Sequence, residues 1–146
     1  MVWLWSATWV SGLTATFNRT LFITFVYYLR LRHLHLYVWP EQRLRTSPNR
    51  IRIPDVCVTL EDPGIDVFEA PPLVCVEILS PRDELSNVLE KLEEYAAPGV
   101  AHIWIVDPRR RKAFAYSSGR LEEVTGSELT TGAAVSIPLP DVFARL

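Results

Sequence analysis

The run Leu73–Ser80, LVCVEILS, is apolar and β-branched almost without interruption, as a strand buried on both faces would be. Glu77 lies inside it, between Val76 and Ile78. An unpaired carboxylate in that position costs several kcal/mol. Any fold the chain adopts must therefore bring a hydrogen-bond donor or a cation to residue 77. A second acid, Asp55, sits in a similar run, RIPDVCV, directly after Pro54. Proline cannot donate to a ladder, so Pro54 marks an edge, a bulge or a strand start.

The 146 residues suffice for one domain with a sizeable core, and 49% hydrophobic with 22% charged residues is an ordinary globular balance. The formal charge of -2 does not advertise nucleic-acid binding. That total hides an asymmetry. Residues 1–40 carry Arg19, Arg30 and Arg32 and no acid, whereas the remainder holds 12 basic against 17 acidic residues. Arginines also cluster as Arg43, Arg45, Arg50 and Arg52, and again as Arg109, Arg110 and Arg111 beside Lys112. Such runs read first as solvated edges and second as phosphate contacts.

The segment before Arg30 is almost uncharged and rich in tryptophan and phenylalanine. Its length suits a membrane span, but Arg19 near its middle would cost about 3 kcal/mol there. A core helix over roughly 13–34 is the better reading, and a cytoplasmic protein is expected, with membrane association as the alternative. Residues 1–35 thus form an atypical apolar segment, followed by a domain over 36–146, the two making a single domain overall. His33 and His35 read as surface residues.

From Leu36 the elements are clearer. LYVWPEQRL is a strand broken or bent at Pro40, RTSPN a turn, and IRIPDVCVTL a second strand; EDPGIDVFEAPP is a loop. After LVCVEILS, a helix capped by Asp83 or Ser86 runs to about Ala97, with Leu85, Val88, Leu89, Leu92 and Tyr95 on its apolar stripe. AHIWIVDP is a strand with Trp104 in the core and Asp107 forming the turn. A hairpin around Ser118-Gly119 follows, and then a short strand and a closing helical turn. This order predicts an α/β fold. Side chains two apart on a strand share a face, so Cys57 should point with Asp55, and Cys75 with Glu77, as reduced thiols, with a disulfide as the alternative if the two strands pair.

Two inward carboxylates and a lysine are what magnesium-dependent phosphodiester hydrolysis requires. Magnesium takes one or two carboxylates, water and phosphate oxygens, and a lysine orients the attacking water or meets the transition-state charge. Lys91, two turns into the helix, borders the apolar stripe and can reach back to the strand.

The segments VWPEQRLRTSPNRIRIPDVCV, PPLVCVEILSP and EYAAPGVAHIWIVDPRRRKAFAY, in that order, resemble the Uma-two family of restriction endonucleases, within the PD-(D/E)xK nuclease superfamily. The resemblance covers Leu36 to Leu146 and implies a restriction-endonuclease-like core, a mixed central β-sheet flanked by helices. It implies Asp55, Glu77 and Lys91 as catalytic residues, with Asp55 and Glu77 as ligands of Mg2+ or Mn2+. It further implies DNA as partner and a homodimer, with no nucleotide cofactor. The position four before the lysine, often an aspartate in the family, is Asn87 here, and residues 1–12 do not resemble the family's usual start. A catalytically inactive, partner-binding module is the competing function. Glu41 ranks as a further candidate acid, with a salt bridge to Arg43 or Arg52 as its simpler explanation; Gln42 and Tyr95 rank below it as possible lining residues.

Overall fold

In the computed structural model, which describes residues 12–32 and 35–144, the strand β6 (Val74–Ile78) is buried along its whole length and separates two cores. Val74, Val76 and Ile78 face one core; Cys75 and Glu77 face the other. The neighbouring strand β7 (His102–Asp107) repeats the alternation, with Trp104 and Val106 on the first side and Ile103 and Ile105 on the second. A period of two on strands covered on both faces explains why both runs read as continuously apolar.

The six-stranded sheet has the order β1-β4-β6-β7-β8-β9, where β1 is Tyr37–Pro40, β4 Val56–Thr59, β8 Lys112–Ser117 and β9 Arg120–Glu123. It is mixed, as expected: β6 and β7 run parallel across a helical crossover, and the other pairs are antiparallel. The helix α1 (Gly12–Leu31) packs on the first face through Leu21 and Phe25. Beside it lie the ribbon of β10 (Glu128–Thr130) with β11 (Ser136–Pro138) and the short helix α3 (Leu139–Phe143). The Tyr28 hydroxyl donates to Asp141 and ties α1 to α3. No helix among the described residues is long and apolar enough to cross a membrane.

The second face is covered by the helix α2 (Leu85–Ala96) through Val88, Leu92 and Tyr95. A small sheet of β3 (Arg50–Arg52), β2 (Arg43–Ser47) and β5 (Val67–Phe68) completes it, adding Leu44 and Phe68 to the core. Leu92 is fully buried, and such a side chain contributes about 2 kcal/mol.

Several expectations are corrected. The segment LYVWPEQRL is broken at Pro40 rather than bent, and its two strands lie in two sheets, because Pro40 ends the pairing and Glu41, at φ 47°, turns the chain left-handed. IRIPDVCVTL divides likewise at Pro54, into β3 and β4. The helix is capped by neither Asp83 nor Ser86. Its N-cap is Glu84, without a side-chain bond, while the Asp83 carboxylate accepts the Ser80 N–H at 2.7 Å. Leu85 is exposed rather than part of the buried stripe. The strand β5, two residues long, falls in a segment read as loop. The hairpin turn at Ser118-Gly119 is as expected, with φ values of 51° and 76°. Asp107 accepts the N–H groups of Arg109 and Arg110, and Trp104 is buried. His35 is exposed, while His33 and residues 1–11 lie outside the described residues.

The arginine clusters have internal partners. Arg52 forms a two-pronged pair with Glu94, at 2.6 and 3.0 Å, and Arg50 reaches Glu94 and Glu90 at 3.3 Å. Arg45 pairs with Glu69 and Lys112 with Glu123, while Arg111 donates to the Phe143 carbonyl. The Arg50 and Arg52 contacts clamp β3 to α2. Hydrogen bonding from Arg52 holds the Glu94 carboxyl below its usual range. A depressed folded pKa stabilises fully above the unfolded value, about 4.3, and the contribution is lost as pH falls through the folded value. Arg52→Met should therefore lower stability by about 1 kcal/mol at neutral pH. In urea denaturation the difference from the parent should shrink steadily below about pH 4.

Candidate active site

Glu77, the last residue but one of β6, projects towards α2 and is only 6% exposed. The helix answers the requirement posed by its burial. Lys91 places Nζ 3.0 Å from Glu77 Oε2, and Tyr95, one turn further on, donates its hydroxyl to Oε1 at 2.5 Å. Residues i and i+4 share a helix face, so one stripe of α2 supplies both donors. The Lys91 stem follows the packed face, and its side chain stays about a third exposed, at 35%.

Burial disfavours the Lys91 charge, but Glu77 outweighs it, with Asp55 and Asp83 adding to the effect; the ammonium is held above the usual lysine range. Burial, then the Glu77 charge, pushes the Tyr95 phenol far above its ordinary value, so Tyr95 is a neutral donor at any physiological pH.

Asp55 follows Pro54 at the start of β4. Its Oδ2 accepts the Ile78 N–H at 2.7 Å. The β4–β6 register pairs Val56 with Val76, so Pro54 would stand opposite Ile78 if the ladder continued. The ladder stops at proline, and the Asp55 side chain takes the N–H that it leaves. A carboxylate that accepts backbone N–H at a strand start and one that belongs to a charged site are here the same group.

The structure thus brings Asp55, Glu77 and Lys91 to one region between the sheet and α2. Tyr95 is the group that sequence reasoning underweighted. Its place on the apolar stripe reads as core, and its spacing of four from Lys91 was the available signal. Glu41 is exposed, and its backbone N–H donates to the Asp55 carbonyl. Arg52 pairs with Glu94 rather than Glu41. The Gln42 amide donates to the Asp66 carbonyl at 2.6 Å. Cys57 and Cys75 face each other in the β4–β6 register as free, buried thiols. Burial pushes Cys57 up to about 12 and Cys75 well above its usual value, which rules out a ready nucleophile at either.

The profile of the Uma2 family, described as "Putative restriction endonuclease", matches residues 3–144. The chain belongs to that family, and the match takes in the N-terminal segment as well as the region from Leu36 onward. A crystal structure described as a putative nuclease of the DUF820 group from Anabaena variabilis superposes with a TM-score of 0.76 at 16% identity, covering 94% of this chain and 83% of that one. The fold is therefore nuclease-like, a mixed sheet flanked by helices. No curated protein matches the sequence.

The pairing of Glu77 makes a stability prediction. Lys91→Met leaves a buried carboxylate short of its counter-charge and should cost about 2 kcal/mol in urea denaturation. The double variant Glu77→Gln with Lys91→Met should recover most of that loss, because the uncompensated charge is gone.

Proposed function

We propose that the chain is a metal-dependent DNA endonuclease, with Asp55 and Glu77 as metal ligands and Lys91 as the catalytic amine. The observation that carries this reading is the meeting of two carboxylates and one lysine from three chain segments, around a strand otherwise buried in hydrocarbon. The family description and the nuclease-like fold support it.

The donor set fits magnesium. Among the described residues no group of three or more His, Cys, Asp or Glu side chains gathers in one place. A site with two hard carboxylates suits an ion that keeps water and takes the substrate's phosphate oxygens, and it is too poor in ligands for calcium or structural zinc. When bound, the metal would acidify water and neutralise charge on the phosphodiester. The protein's part is orientation. Asp55 is fixed by the Ile78 N–H, Glu77 by Tyr95, and Lys91 is the mobile cation able to approach a phosphate oxygen or an attacking water.

Plasmid DNA should be cut in the presence of Mg2+ or Mn2+. Asp55→Ala and Glu77→Ala proteins that remain folded should lose at least about 100-fold in rate. Cleavage by either variant at the parental rate would exclude these residues as the site.

A further inference from the structure

The two oxygens of Glu77 have neighbours of different kinds. Oε1 faces Tyr95, whose side chain is fully buried and packed among Leu92, Val88 and the residues beneath α2. A phenol so enclosed cannot swing away without leaving a cavity in the core. Oε2 faces Lys91, a point charge on a flexible four-carbon stem with a path to solvent. One contact is fixed by packing and the other is exchangeable.

We propose that Tyr95 is a positioning residue that holds Glu77 through Oε1, leaving Oε2 as the oxygen a divalent cation takes over from the Lys91 ammonium. This rests on the reading of Asp55 and Glu77 as metal ligands and deepens it. Lys91 is then the resident counter-ion of the metal-free site. A dication and the ammonium cannot both sit against one oxygen at close range without mutual repulsion, so binding of the first displaces the second. Tyr95 keeps the carboxylate in place during the exchange, as the outer-shell partner of a metal ligand does.

The test is calorimetric titration of Mn2+ into the full chain and its Tyr95→Phe and Lys91→Met variants, with thermal melts in the same buffers. Tyr95→Phe keeps the ring and removes one oxygen; it should weaken Mn2+ binding about tenfold or more. Lys91→Met should bind Mn2+ about tenfold more tightly than the parent, for want of a competitor, and Mn2+ should raise its melting temperature by more than the parent's. If Tyr95→Phe binds Mn2+ as the parent does, Tyr95 is a packing residue and the proposal falls, with the metal reading intact. Equal or weaker binding by Lys91→Met overturns the exchange at Oε2, and this arm stands even if Tyr95→Phe fails to fold. Absence of Mn2+ binding in both the parent and Lys91→Met would instead remove the metal reading and this inference with it.

Discussion

The contact between Glu77 and Lys91 joins the third strand of the sheet to the helix that follows it, and much of the second core is arranged around this pair. A carboxylate this deep is tolerable only with donors on both oxygens. The helix α2 must therefore lie where residues one turn apart reach back to β6. Val88 and Leu92 bury the rest of that face, so the packing that closes the core and the contacts that satisfy Glu77 demand the same helix position. Few placements of α2 meet both conditions.

The other two parts of the site are tied to the same helix indirectly. Arg50 and Arg52 grip Glu90 and Glu94, residues that alternate along α2 with Lys91 and Tyr95. Arg52 is also three residues ahead of Asp55 in the chain. The outer edge of α2 thus holds the segment that delivers Asp55, while its inner edge holds Glu77. Salt bridges at partly exposed positions contribute little singly; a network anchored at both ends of a short segment contributes mainly by restricting where that segment goes. Of the arginines that looked available for phosphate, Arg50 and Arg52 are engaged in this way.

Much of this was legible in the residues. Glu77 stood out because a charge in a run of Val, Cys and Ile has no routine role, and the structure gives it two donors. Helix α2 was legible from its helical apolar spacing, and strand β7 from its apolar run and the turn at Asp107. What escaped was of three kinds. Short strands such as β5 carry no periodic signal and exist because a longer neighbour offers an edge. The divisions at Glu41 and Pro54 were visible as breaks, yet nothing local says that the chain changes sheets there. Tyr95 was hidden for a third reason: an aromatic residue on a buried stripe looks like hydrocarbon, and its hydroxyl matters only once its partner is known.

The alternation along β6 bears on how the chain finds its fold. The strands β6 and β7 are apolar on both faces, and parallel strands of that kind specify their alignment poorly, since a slip of one residue exchanges one hydrophobic face for another. Glu77 removes that degeneracy. Turned over by a single step, it would enter the core formed by Leu21, Phe25, Val56 and Trp104 and leave behind both of its donors, Lys91 and Tyr95. The residue proposed to hold a metal also serves as a registration mark. It lets one alignment of the central strands survive among several that hydrophobicity alone would accept.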